Sequence, residues 1–195
     1  MDERMTSKNL RWVSCVAAMS TNRGIGNKGS LPWPPLRTDL RFLEKITTEV
    51  KDKDKWNAVL LGRKTWESLG ASNQPLTGRL NIVISKSLKS PPSGAHYVCD
   101  SVLSAVQMLS APPFTSTVEK ILVLGGTDVY KEAIESPFCH RIYLTRINQE
   151  FEADAFFPMF DENVYKLISN PSEVPQGVFE ENQVQYKFCV YEKQC

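Results

Sequence analysis

The chain has 195 residues, of which 42% are hydrophobic and 23% are charged, and its formal net charge at pH 7 is +1. This composition excludes a disordered or collagen-like protein, and a chain of this length can bury a core without disulfides or metal ions. The charge gives no sign of a nucleic-acid partner or of binding to an acidic membrane surface. No apolar run approaches the length of a membrane span.

The first residues, Met1 to Asn9, are polar and mixed in charge, without the apolar segment of a secretory signal. We expect a single domain over residues 1–195, with residues 1–10 as a flexible tail. The five cysteines, at positions 15, 99, 139, 189 and 195, include no CxxC pair, which argues against a disulfide framework or a zinc site. We therefore predict a protein of the reducing cytoplasm that holds no metal.

Strand-like and helix-like segments alternate along the chain between short proline-rich breaks. Apolar runs of strand length cover residues 12–19, 57–61, 80–84 and 120–124. Helical periodicity covers residues 36–48, 65–69, 101–109 and 128–135. Residues 141–147 and 183–192 alternate with a period of two, which is typical of antiparallel strands. The pattern predicts an α/β fold with a mixed, mostly parallel central sheet, an antiparallel C-terminal edge strand and helices on both faces.

Residues 24–29 match the GxGxxG spacing of a dinucleotide-binding loop and follow a predicted strand. That loop needs a helix directly after it, because the helix aims its amide groups at the pyrophosphate. Here Ser-Leu-Pro-Trp-Pro-Pro follows at residues 30–35, and no helix begins before Pro35. We interpret the segment as a flexible loop that leads into a rigid segment, of the kind that closes over active sites. An ordinary surface turn is the alternative.

The helix predicted after this segment carries a carboxylate on its apolar side. The apolar arc of its helical wheel is formed by Leu36, Leu40, Phe42, Leu43 and Ile46. Asp39 is the only charge within that arc, and a buried carboxylate is unfavourable unless it has partners or a function. Two interpretations stay open: a first-turn residue stabilised by the helix dipole, or a functional acid.

Two predicted strands end in glycine directly before a helix. One junction reads GRKT at residues 62–65 and the other GGTD at residues 125–128, while SKS at residues 85–87 follows a third strand. Free amides and the positive end of a helix dipole attract anions, and glycine lets a ligand approach closely. Neither junction matches the GxxxxGK[ST] motif. One such junction is usually only a helix cap, but three favour a ligand with several phosphates.

Together these segments resemble the dihydrofolate reductase family, and its animal-type, single-domain members most. The motifs that carry the resemblance are GIG at 24–26, LPWPPLR at 31–37, GRKTW at 62–66, GR at 78–79, GG at 125–126, VY at 129–130 and TRI at 145–147. The resemblance implies an oxidoreductase that uses NADPH to reduce 7,8-dihydrofolate to 5,6,7,8-tetrahydrofolate. Such an enzyme supports one-carbon metabolism and thymidylate synthesis and is inhibited by antifolates. Since no exposed apolar patch is obvious, we expect a monomer.

The resemblance also assigns roles in the active site. Asp39 matches the acid that holds the amino group and N3 of the pterin, where animal enzymes commonly have glutamate. Thr145 would hydrogen-bond that carboxylate, Trp33 would hold a water near the pterin carbonyl, and Leu31 would lie against the nicotinamide. Arg79 would pair with the α-carboxylate of the glutamate tail. The implied substrate-binding set is Val16, Ala17, Ala18, Leu31, Asp39, Leu40, Leu43, Thr65, Ser68, Leu69, Asn73, Arg79, Leu124, Tyr130 and Thr145.

NADPH is the implied cofactor, and the family joins the glycine pair at its pyrophosphate site by a cis peptide bond. The implied cofactor-binding set is Ala18, Ile25, Gly26, Gly29, Ser30, Leu31, Gly62, Arg63, Lys64, Thr65, Ile84, Ser85, Lys86, Ser87, Leu124, Gly125, Gly126, Thr127, Asp128, Val129 and Tyr130. Three positions depart from the family. Asp100 stands near where animal enzymes often have an arginine beside the 2′-phosphate, and Gln74 and Thr77 replace cations near the glutamate tail. These departures bear on affinity more than on the type of reaction.

Two other functions are compatible with parts of the pattern. A reductase of related fold that acts on a ribosylated pyrimidine would need phosphate-binding cations in the substrate pocket, where this chain has apolar residues and Arg79. A non-catalytic NADP-binding module would not need Asp39, Trp33, Arg79 and Thr145 together.

Overall fold

The computed structural model describes residues 9–194, so that residues 1–8 of the predicted tail lie outside the described part of the chain. Its strands are β1 (Val13–Met19), β2 (Gly24–Gly26), β3 (Trp56–Gly62), β4 (Arg79–Ile84), β5 (Tyr97–Cys99), β6 (Val118–Val123), β7 (Cys139–Ile147), β8 (Ala155–Phe156), β9 (Tyr165–Leu167), β10 (Phe179–Glu181) and β11 (Val184–Lys193). Its α-helices are α1 (Arg37–Thr48), α2 (Arg63–Ser68), α3 (Val102–Leu109), α4 (Phe114–Thr117) and α5 (Thr127–Glu135).

Within residues 9–194, nine strands form one sheet in the order β10–β11–β7–β1–β6–β3–β4–β5, with β9 also paired to β11. The run from β7 to β5 is parallel throughout. β11 is antiparallel to β7, and β9 and β10 are antiparallel to β11. The predicted mixed, mostly parallel sheet with an antiparallel C-terminal part is therefore confirmed, and the short β10 lies outside β11 at that edge.

Alternating side chains of the strands pack on opposite faces of this sheet. Cys15, Ala58 and Leu60 belong to the core cluster that α3 and α5 cover. Val16 and Val59 belong to a second cluster, which Phe42 and Ile46 of α1 and Trp66 of α2 cover. The sheet is thus covered by helices on both faces, as predicted. Because parallel strands between two helical layers are buried on both sides, they are apolar at nearly every position.

The long elements begin and end within a few residues of their predicted bounds. β2, β5, β8, β9, β10 and α4 were not predicted, because two to four residues are too few to show a period. Among residues 9–194, no helix combines the length and the apolar composition that crossing a membrane requires.

The glycine segment after β1 contains β2, which pairs with β8 in a separate two-stranded sheet. A Cβ atom at Gly24 would lie 2.6 Å from the Cβ of Ala153, so only glycine permits this approach. Helix α1 begins at Arg37, well after the glycines, and the segment therefore lacks the helix that a dinucleotide-binding loop requires. Mobility of this segment stays a prediction.

Candidate active site

Asp39 lies in the first turn of α1, and its carboxylate reaches the central sheet. The Thr145 hydroxyl of β7 donates a hydrogen bond to Asp39 Oδ1 at 2.6 Å. Thr145 pairs in register with Ala18 of β1, so the carboxylate lies near the carboxyl ends of these two parallel strands. Burial raises the pKa of Asp39 from 3.8 to about 6, against the lowering effect of the Thr145 hydrogen bond and with a smaller raise from the Glu181 charge. An acid with a pKa near neutrality can exchange a proton with a substrate.

Asp39 does not cap the helix on which it lies. The backbone amides of Arg37 and Thr38 donate to the Glu181 carboxylate at 2.8 and 2.9 Å. Two of the free amides at the start of α1 are thus satisfied from β10, and Leu36 at the N-cap position makes no side-chain cap bond. The geometry therefore favours the functional acid over the first-turn stabiliser that the sequence left open.

Trp33, which follows the glycine segment and precedes α1 in the chain, is buried, with 5% of its surface exposed. Its indole Nε1–H is a buried donor that has no acceptor among the described residues. Buried donors are usually paired, so this one fits a polar ligand atom or a water. Leu31, two residues earlier, has 49% of its surface exposed, which suits an apolar side chain that closes over a ligand.

An apolar wall lies on the sheet face that α1 and α2 cover, and the space in front of it, beside Asp39, is called the cleft below. Ala18, Leu43, Leu69 and Leu124 are half-buried there beside the buried Val16. Leu40, one residue after Asp39, has 44% of its surface exposed. These partly exposed side chains in one apolar cluster form a surface on which a flat aromatic ligand can pack.

Other residues of the implied substrate set contact the cleft less directly. The side chain of Ala17 packs on the opposite face of the sheet, so only its backbone can face the cleft. The hydroxyl of Ser68 donates to Thr65 O within α2, and the exposed Asn73 amide donates to Leu69 O. Tyr130 is buried, and its hydroxyl donates to Val16 O at 2.7 Å.

The guanidinium of Arg79, the first residue of β4, lies at the C-terminal end of α1, the helix that carries Asp39. It donates to Thr77 O and to Thr47 Oγ1, both at 2.9 Å, and only 7% of the residue is exposed. Burial lowers its pKa, while the charge of Glu44 raises it. Among residues 9–194, no carboxylate forms an ion pair with it. Such a held, unpaired guanidinium suits the carboxylate of a ligand.

The three predicted anion junctions lie side by side at the carboxyl edge of the sheet. The strand order β6–β3–β4–β5 brings the glycine pair at 125–126 next to Gly62 and then next to Ser85, Lys86 and Ser87. The amide of Gly62 donates to Gly125 O at 2.7 Å, and the amide of Ser85 donates to Cys99 O at 2.8 Å. Arg63 and Lys64 are exposed between these points, so the edge offers cations and hydroxyls along an extended path.

The glycines of this edge leave space that side chains would fill. A Cβ atom at Gly126 would lie 3.2 Å from Thr65 Oγ1, and one at Gly62 would lie 3.2 Å from Val129 Cγ2. Gly125 has a φ of 115° and a cis peptide bond to Gly126, directly before α5. Backbone amides without side chains in front of them, at the start of a helix, fit the pyrophosphate of a dinucleotide.

The remaining implied cofactor residues lie at the start of α5, in the core cluster under α3 and α5, and in the glycine segment. Thr127 and Asp128 begin α5, and the Thr127 hydroxyl donates to Phe156 O at 2.8 Å. The side chains of Ile25, Ile84 and Val129 pack in the core cluster under α3 and α5. Gly26, Gly29 and Ser30 lie in the glycine segment, where Asn27 and Ser30 exchange backbone hydrogen bonds.

Asp100 lies where the predicted phosphate site would end. It follows β5, which pairs with β4 up to Ile84, so the exposed carboxylate is next to the segment of Lys86. Hydrogen bonds from Ser104 and Ser101 lower the pKa of Asp100, and the charge of Lys86 lowers it further. A phosphate bound near Lys86 would therefore also be near the negative charge of Asp100, which would repel it.

A family model described as dihydrofolate reductase matches residues 12–193. The chain belongs to the dihydrofolate reductase family. It is 46% identical to the dihydrofolate reductase of Bos taurus over 184 residues, which cover 94% of this chain and 98% of the bovine protein. It is 44% identical to the protein of Gallus gallus, over 94% of this chain and 97% of the other. The solved dihydrofolate reductase of Schistosoma mansoni matches with a TM-score of 0.81 and 37% identity, and covers 95% of this chain and 100% of that one.

Membership of the dihydrofolate reductase family confirms the predicted family, its animal-type resemblance and the predicted oxidoreductase class. It also implies a pyridine nucleotide as cofactor. The non-catalytic module and the reductase of ribosylated pyrimidines are thereby not supported.

Three residues of this site were missed by the sequence analysis. Thr47 holds the guanidinium of Arg79, while Glu181 and Tyr186 lie beside the start of α1. Thr47 follows Asp39 by eight residues on the helix, so a helical wheel places both near one side. Nothing in the local sequence relates Glu181 to Asp39, because 142 positions separate them in the chain.

Proposed function

We propose that this member of the dihydrofolate reductase family reduces 7,8-dihydrofolate to 5,6,7,8-tetrahydrofolate with NADPH. The observation that carries the proposal is the partly buried Asp39 carboxylate, held by Thr145 beside an apolar, partly exposed wall. In this proposal the product supplies one-carbon metabolism and thymidylate synthesis, and antifolates that resemble the substrate occupy the same cleft.

Asp39 binds and orients the pterin. Thr145 donates to Oδ1 of the carboxylate, and no described residue donates to Oδ2. That oxygen is thus free to accept the amino group and the N3–H of the pterin ring. The protonated acid supplies a proton to N5 through water, and the carboxylate that this transfer leaves stabilises the positive charge of the protonated pterin. Trp33 Nε1 is the donor that holds such a water near the pterin carbonyl.

NADPH supplies the hydride when it is bound. The glycines at 62, 125 and 126 provide the cradle for its pyrophosphate, and Arg63, Lys64 and Lys86 provide cations for the 2′-phosphate. Leu31 and Leu124 exclude water from the nicotinamide end by apolar contact. These residues therefore orient the two reactants and keep the reacting atoms dry.

Arg79 binds the α-carboxylate of the glutamate tail in this proposal. Thr47 and the Thr77 carbonyl leave part of the guanidinium unpaired, and this part can donate two parallel hydrogen bonds to a carboxylate.

We also propose that the protein acts as a monomer in the cytoplasm. Four free cysteines among the described residues support a reducing compartment, and sedimentation at micromolar concentration tests the monomer.

The direct test is oxidation of NADPH on addition of dihydrofolate, which is measured as the loss of NADPH absorbance in the near ultraviolet. We expect turnover with dihydrofolate and none with a ribosylated pyrimidine. Tight NADPH binding without turnover would contradict the proposal, and Asp39→Asn is the variant that links turnover to this site.

A further inference from the structure

The hairpin of β10 and β11 forms hydrogen bonds with the start of α1 through two of its residues, Glu181 and Asn182. Its two-residue turn, Asn182 and Gln183, has φ values of 49° and 63°, the left-handed conformation that such hairpin turns require. Asn182 Nδ2 donates to Pro35 O at 2.7 Å. The neighbouring Glu181, the last residue of β10, accepts the amides of Arg37 and Thr38. The turn thus fixes both the proline segment and the first turn of the helix that carries Asp39.

The Glu181 carboxylate is also held from its own hairpin. The Tyr186 hydroxyl of β11 donates to Glu181 Oε1. This hydrogen bond, with those from the α1 amides, lowers the pKa of Glu181 to about 2. Glu181 therefore carries a full negative charge throughout the pH range in which Asp39 titrates.

We propose that Glu181 is a positioning residue for the reaction: it occupies the amides at the positive end of α1 and so withholds them from the ionised form of Asp39. An acid in the first turn of an uncapped helix is stabilised as an anion by the helix dipole. Because Glu181 occupies these amides, they stabilise the Asp39 anion much less. The negative charge of Glu181 also disfavours a second negative charge on Asp39. The inference rests on the function proposed for Asp39.

Several groups face Asp39 from the elements packed around it. Thr145 of β7 donates to it, and Glu181 of β10 acts through its charge. Tyr130 of α5 and Tyr186 of β11 sense the charge of Asp39, and burial raises the pKa of both above 10. Both tyrosines therefore stay neutral near pH 7, which leaves Glu181 as the charge on a neighbouring element that acts on Asp39 among the described residues.

Glu181→Gln tests the inference because it removes the charge and keeps one oxygen that can accept an amide. The matched control is Glu180→Gln, which removes a charge from the same strand but contacts Gln185 instead of α1. The pKa of Asp39 is read by NMR of carboxyl-labelled aspartate in the free protein, and its signal is assigned with Asp39→Asn. Single-turnover rates across pH provide the second readout.

We expect Glu181→Gln to lower the pKa of Asp39 by about half a unit to one unit, the scale of a helix-dipole effect. The midpoint of the rate profile moves to lower pH by the same amount, and Glu180→Gln changes neither. An unchanged Asp39 pKa in folded Glu181→Gln would overturn the inference. Should that variant not fold, Glu181→Asp takes its place, with a smaller decrease expected and no decrease overturning the inference. A parent protein without turnover refutes the proposed function, whereas the NMR titration still decides the role of Glu181.

Discussion

Thr47 accepts a hydrogen bond from the Arg79 guanidinium at 2.9 Å, and it lies eight residues after Asp39 on the same helix. Eight residues of α-helix span about 12 Å. One rigid element, α1, therefore sets the distance between the acid and the cation of the cleft. A ligand that uses both ends must have a polar group at each end and a spacer of about this length between them.

Replacing Arg79 should weaken binding of the substrate and leave binding of the cofactor unchanged. We expect Arg79→Leu to raise KM for dihydrofolate by roughly 30- to 150-fold, since a charge-assisted pair contributes about 2–3 kcal/mol. Steady-state kinetics with each reactant varied in turn measure this. Arg41→Leu is the control, because Arg41 is an exposed cation on the same helix. A KM for Arg79→Leu within about twofold of the parent would exclude the pairing, given that magnitude.

Asp100 should weaken the preference for a phosphorylated cofactor. Its negative charge near Lys86 would repel the 2′-phosphate, so Asp100→Arg is expected to tighten NADPH binding and to leave NADH binding nearly unchanged. Titration of both cofactors by fluorescence measures the two affinities. Asp54→Arg makes the same charge change before β3, at the opposite edge of the sheet, and serves as the control. Equal changes for the two cofactors would remove Asp100 from the phosphate site.

The titration of Asp39 should set the pH dependence of the reaction. Its pKa of about 6 means that the protonated acid is lost as pH rises through neutrality, so hydride transfer slows with rising pH. We expect Asp39→Asn to transfer hydride roughly 10²–10⁴-fold more slowly at neutral pH, with much of the rate restored at low pH. NADPH affinity should hardly change.

Single-turnover rates from roughly pH 5 to pH 9, which bracket the range of carboxylate and pterin titration, measure this profile. Asp39→Glu retains a carboxylate and is expected to retain most of the rate. If Asp39→Asn keeps the parent rate at neutral pH, the carboxylate has no part in proton supply.

The same residue should destabilise the folded protein at neutral pH. The pKa of Asp39 is raised from 3.8 to about 6 by burial, so the folded state binds its proton more tightly than the unfolded chain does. Its contribution to stability is full below about pH 4 and is lost as pH rises through 6, a change of about 3 kcal/mol.

The Asn side chain of Asp39→Asn does not titrate. The free energy of unfolding of this variant, relative to that of the parent, should therefore increase as pH rises from about 4 to about 6. Urea unfolding at several pH values checks this. Glu135→Gln, at an exposed carboxylate, is the control and should show no such trend. A difference between Asp39→Asn and the parent that is independent of pH would contradict the raised pKa.

Much of the fold followed from local patterns. The apolar runs at β1, β3, β4 and β6, and the helical periodicity of α1, α3 and α5, depend on which side of each element is buried. Such periods are visible in one segment at a time. The two-residue β8 and the three-residue β2, β5, β9 and β10 carry no period, because their structure depends on a partner strand elsewhere in the chain.

The sequence by itself determined the α/β class, the family motifs and the unusual position of Asp39 on an apolar arc. Only the tertiary structure decided what surrounds that carboxylate. Thr145 of β7 donates to it, and Glu181 of β10 accepts the amides at the start of its helix; both residues lie more than 100 positions further along the chain. The strand order, which places the glycine pair beside Gly62, was likewise decided by packing between distant segments. Local periodicity reports which side of an element is buried, whereas the partners in a site depend on how buried faces of the whole chain fit together.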